Sequence, residues 1–122
     1  RLGLARDACA LMGFSQGAMM VLHAGLRRTP PPRAILAYSG ALLATPELAS
    51  ELAGTPPVLL VHGRDDEVVP FERGPAAERV LRGLGVPVQT VWCEGLGHGI
   101  DDAGLSAGAL FLQRAFADDP AA

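Results

Sequence analysis

Short apolar runs alternate with longer helical stretches along this chain, in the order strand-helix-strand-helix-strand-helix-strand-helix. Three of the runs are continuous: Ala8 to Met12, Ala34 to Tyr38, and Pro57 to His62 with Val58, Leu59, Leu60 and Val61 at its centre. A strand buried on both faces has no exposed positions to fill with polar residues, so unbroken runs predict parallel strands covered by helices. A fourth strand is expected over Val86 to Cys93. From Gln16 to Arg28 the residues are mostly Ala, Met, Val and Leu, ending in two arginines that suit the negative end of a helix dipole. A helix apolar nearly all round is a buried one, so Met19, Met20 and His23 are expected to pack inside.

Punctuation sets the remaining elements. Thr29 and the prolines at 30–32 stop the first helix. Thr45, Pro46 and Glu47 read as the N-cap, first-turn proline and early acid of a short helix reaching about Ala53. A third helix is expected from Arg73 to Leu84, with Pro75 tolerated in its first turn. Asp101 and Asp102 cap a last helix to about Phe116, and Ala117 to Ala122 is expected to fray. Strands alternating with helices predict an α/β fold with a parallel sheet in three layers, α/β/α.

Length and charge narrow the partners. At 122 residues the chain is one domain, 1–122. Its net charge is −3, and its ten basic residues are all arginines scattered from Arg1 to Arg114. Phosphate binding needs clustered positive charge, so no nucleic-acid partner is expected. Gly, Pro or Arg interrupts every apolar stretch before it could span a bilayer, so no stable membrane insertion is expected. Two cysteines, Cys9 and Cys93, lie in apolar runs without metal-type spacing. They read as small buried hydrophobes in a reducing, cytoplasmic compartment. The first six residues, Arg1 to Arg6, read as the tail of a helix already under way.

One motif brings chemistry into this frame. Gly13-Phe14-Ser15-Gln16-Gly17 is a G-x-S-x-G directly after a predicted strand and directly before a predicted helix. A nucleophilic serine needs such a sharp turn to stand clear of the sheet, and glycines flank it because a Cβ would clash with strand and helix. The competing reading is a turn serine that only caps the helix. A serine hydroxyl also needs a base, and the base an orienting acid, which in this architecture follow in the order acid then histidine. After the third strand come His62-Gly63-Arg64-Asp65-Asp66-Glu67-Val68-Val69-Pro70, and after the fourth Glu94-Gly95-Leu96-Gly97-His98-Gly99, a histidine in a flexible loop. Spacing alone does not choose among Asp65, Asp66 and Glu67. His62 reads as structural, hydrogen-bonded near the strand end, and Ser39, Ser50 and Ser106 have no partner suggested by the pattern.

These motifs resemble those of the phospholipase/carboxylesterase family of α/β-hydrolases: G-F-S-Q-G at 13–17, H-G-x-x-D-x-x-V-P at 62–70 and G-x-G-H at 95–98. The resemblance runs over nearly the whole chain and implies the C-terminal half of an α/β-hydrolase fold. It puts Ser15, Asp66 and His98 in the roles of nucleophile, acid and base. The Gln16 backbone N–H becomes one oxyanion donor, and the second would come from an upstream loop. The implied reaction is hydrolysis of small-molecule or lipid carboxylic esters, with small or medium acyl groups, through an acyl-serine intermediate. It requires no cofactor and no metal. Thioester hydrolysis by the same set is an alternative, as is an incompetent fragment or half of a complemented enzyme. A peptidase of the prolyl-oligopeptidase type shares the motif order but carries a different residue after the serine. An apolar first strand at the sheet edge would pair with a missing N-terminal half or with a second copy.

Overall fold

A computed structural model describes residues 9–117. The expectations for Arg1 to Arg6, Ala8 and residues 118–122 lie outside the described residues. Eight elements follow the anticipated order: β1 Ala10–Phe14, α1 Gln16–Arg27, β2 Ala34–Tyr38, α2 Leu48–Glu51, β3 Val58–Gly63, α3 Arg73–Gly83, β4 Val88–Cys93 and α4 Asp102–Ala117. The strands form one sheet in the order β1-β2-β3-β4, every pairing parallel.

Side chains alternate across each strand, so the two faces of the sheet collect different residues. Ile35 and Ala37 of β2 with Val58 and Leu60 of β3 meet Ala18, Leu22 and Leu26 of α1 and Ala77 and Leu81 of α3. Ala34, Leu36, Tyr38, Leu59 and Val61 face the other way, toward Phe111 of α4. The result is the expected three layers. Each fully buried aliphatic side chain in them contributes about 1.5–3 kcal/mol relative to exposure. On the α4 side the fit is tight, because the Tyr38 hydroxyl lies where a Cβ at Gly108 would go. That hydroxyl donates to the Gly104 carbonyl at 3.0 Å, and burial pushes the phenol above its ordinary pKa.

Several local expectations need correction. β1 lies two residues later than anticipated, because Gly13 and Phe14 stay extended and pair with Ala37 and Tyr38. β4 starts at Val88, while Val86 fills the core just before it. The α2 helix begins only at Leu48, where Leu48 N–H closes a turn onto Thr45 O, and no side chain caps it. α1 is one-sided rather than buried all round. Ala18, Leu22, Gly25 and Leu26 face the sheet, whereas Met20 is 69% exposed and His23 is also exposed. Cys9 is only half-buried and its sulfur accepts from Arg28 Nη1 at 3.0 Å, so it is no plain core hydrophobe. Among the described residues, no helix is long and apolar enough to cross a membrane.

Candidate active site

Ser15 is the single residue between β1 and α1, with φ 58° and ψ −117°. A non-glycine residue at positive φ costs about 1–3 kcal/mol, and the surroundings hold it there. Ser15 N–H donates to Tyr38 O at 2.9 Å, and Ser15 O accepts from Met19 N–H at 3.1 Å. The turn is so close that a Cβ on Gly13 would collide with the Gly17 carbonyl and lie 2.7 Å from Ala18 N. Gly17 differs: among the described residues nothing lies within 4 Å of a Cβ there, so the expected clash holds only for Gly13. Ser15 occupies the cap position of α1 but makes no side-chain capping bond, which removes the plain capping reading. Its Oγ lies 2.9 Å from His98 Nε2 instead.

Asp66 is the acid that the fold brings to His98. Its side chain is fully buried, and Oδ2 lies 2.8 Å from His98 Nδ1. Oδ1 accepts from Val68 N–H at 2.9 Å and from Val69 N–H at 2.8 Å. Asp65 and Glu67 point to the exposed side of the same loop. Burial disfavours the ionised carboxyl, but the hydrogen bond from His98 and those from Val69 and Val68 outweigh it. Asp66 therefore titrates below its ordinary value.

The histidine loop is pinned rather than loose. Leu96 O accepts from Asp65 N–H at 2.9 Å, and the Leu96 and Gly97 carbonyls press against Gly63 where any Cβ would stand. Phe14 covers one side of the His98 ring, with centroids 4.8 Å apart. Ser39, given no partner by the sequence pattern, is 1% exposed at φ 55° and donates from Oγ to Gly99 O at 3.3 Å. It ties the end of β2 to the residue after His98. The available signal was a Ser-Gly pair directly after a buried strand. Burial and the Asp101 carboxylate raise the Cys93 thiol, so it is a poor rival nucleophile. Gln16 is the first residue of α1, where a helix leaves its N–H without an intrahelical acceptor. Among the described residues, no group of three or more His, Cys, Asp or Glu side chains is placed to hold a metal ion.

A parallel sheet with helices on both faces, a strained serine between strand and helix, and a histidine and an aspartate beyond later strands make up the α/β-hydrolase architecture. Esterase PE8 superposes with a TM-score of 0.82 at 44% identity, over 87% of this chain and 49% of that one. The sequence model of the phospholipase/carboxylesterase family matches residues 1–115, and the chain belongs to that family. Acyl-protein thioesterase 1 of Gibberella zeae is 35% identical over 117 residues, 92% of this chain and 50% of that protein. Esterase YpfH of Escherichia coli is 34% identical over 103 residues, 84% of this chain and 43% of that protein. The chain thus spans about half the length of the curated relatives it matches.

Proposed function

We propose that this chain carries the reacting side chains of a serine hydrolase that cleaves carboxylic esters. The observation that carries the reading is the continuous hydrogen-bonded line from Ser15 Oγ through both nitrogens of His98 to Asp66 Oδ2. In this reading His98 Nε2 takes the Ser15 proton as Oγ bonds to the ester carbonyl carbon. The resulting oxyanion accepts from the Gln16 backbone N–H. His98 then returns the proton to the departing alkoxide, leaving acyl-Ser15 and free alcohol. Water attacks the acyl carbon as His98 removes its proton, the bond to Oγ breaks with return of that proton, and carboxylic acid leaves. Asp66 keeps Nδ1 protonated and the ring aimed. These steps run on side chains and backbone, with no cofactor in any of them.

Thioester cleavage is the second reading, favoured by the relative from Gibberella zeae that is named for it. The same steps serve it, with a thiolate as leaving group. The two-cysteine composition without metal-type spacing supports a cytoplasmic setting. We also read β1 as the pairing edge for a further strand, from an N-terminal half or a second copy. Met12 and Phe14 on it are 53% and 39% exposed, and parallel strands are normally covered. Self-association of these 122 residues alone, measured by light scattering, is the expected sign of that edge. For the chemistry, a p-nitrophenyl ester should release one equivalent of nitrophenol per active site in a burst. Steady release without a burst, unaffected by Ser15→Ala, would contradict it. Relative kcat/KM for matched oxygen and thiol esters separates the two substrate readings.

A further inference from the structure

Asp66 has a second imidazole beside it. His62 precedes Gly63 at the end of β3, pairs across the sheet with Trp92, and is 2% exposed. Its Nε2 lies 2.8 Å from the Val69 carbonyl and 3.3 Å from Asp66 Oδ2. Both of those atoms only accept, so Nε2 must carry a proton. The His62 and Phe71 rings are nearly perpendicular with centroids 6.0 Å apart, and the Arg64 guanidinium lies over Phe71 at 4.8 Å.

These interactions close a small ring. Val69 N–H donates to Asp66 Oδ1 while Val69 O accepts from His62, so one peptide joins the acid to the strand behind it. Oδ1 is fixed by two backbone donors, whereas Oδ2 faces His98 on one side and His62 on the other. A buried strand-end imidazole is a stiffer support than a loop side chain, because its neighbours fix its rotamer.

We propose that His62 is a positioning residue for the reaction: its Nε2–H holds Val69 O, and the Val69 peptide, whose N–H donates to Asp66 Oδ1, keeps the acid aimed at His98 Nδ1. This rests on the ester-hydrolase reading for its kinetic consequence, but not for its geometry. Glutamine places a donor where Nε2 stands, and methionine fills the space without one.

The test uses the protein expressed from its natural gene. In His62→Met, kcat should fall about 10–100-fold with KM within about twofold, as expected when a reacting group is mis-aimed while substrate binding is untouched. His62→Gln should recover most of that loss. Equal loss in both variants would mean that ring packing alone matters, and unchanged kcat in folded His62→Met would refute the proposal. Nitrogen-15 NMR of the unsubstituted protein and of Ser15→Ala reads the same point without turnover or a variant at position 62. The His62 proton should sit on Nε2, and a tautomer protonated only on Nδ1 would overturn the inference. Absence of Ser15-dependent hydrolysis with the Nε2 proton in place would sink the ester-hydrolase reading and leave the positioning geometry standing.

Discussion

Just after β1 the backbone is strained and the side chain makes no capping bond, whereas in the loop after β3 the side chain is held from several sides. Ser15 sits at φ 58° with no capping bond, and its Oγ lies 2.9 Å from His98 Nε2. Asp66 is buried, with two backbone donors on one oxygen and imidazoles beside the other. Ser15 is therefore placed through its backbone and Asp66 through hydrogen bonds to its side chain. A hydroxyl that must leave its partner to attack gains from few attachments. A carboxylate that only orients a ring gains from many.

That contrast predicts different failures at the two ends. The largest effect is expected for Asp66→Asn, which can keep both backbone donors on its amide oxygen but then presents an NH₂ group, a donor, to His98 Nδ1. Turnover should fall by about 10⁴-fold while the fold survives, read as kcat against the thermal midpoint. Asp66→Ala should add a stability loss of about 1–3 kcal/mol, because the buried Val69 N–H and the part-buried Val68 N–H lose their acceptor. At the elbow the expectation is reversed. Gly13→Ala should destabilise by about 3 kcal/mol or more, measured by denaturant unfolding, because its Cβ meets backbone that has little room to move.

Acid should probe the β3 end specifically. Because the folded Asp66 carboxyl is held below its ordinary value, the unfolded chain binds its proton first as pH falls. Its stabilising contribution is complete above the ordinary aspartate pKa of about 3.9 and is lost as pH falls through the lower folded value. Unfolding free energy measured across that window should drop in the native chain and drop less in Asp66→Asn. The smallest effect is expected at Gly17→Ala in this chain. Open space there and the better helix propensity of alanine predict a change of no more than about 1 kcal/mol, favourable in sign.

The parts of this arrangement that could be read from sequence were those written locally. β2 matched residue for residue because Ala34 to Tyr38 is buried on both faces and carries an unbroken apolar run. The elbow was legible because its glycines and flanks are contiguous. Asp66 could not be separated from Asp65 by spacing, since neighbouring side chains of a turn differ only in direction; the family register made the choice. His23 and Met20 were misplaced because composition does not show which helix face meets the sheet. Gly108 against Tyr38 joins segments distant in sequence, and no local pattern announces it; the Ser-Gly pair after β2 did not point to Gly99, and the motif at 62–70 put His62 and Asp66 in one loop without showing their contact.

Activation of Ser15 through His98 can be read with a serine-directed fluorophosphonate mapped by peptide mass spectrometry. Modification is expected at Ser15 alone in the native protein, with loss of that modification in His98→Ala, where the hydroxyl has no base. Modification of Ser39, Ser50 or Ser106, or labelling that persists in Ser15→Ala, would contradict it.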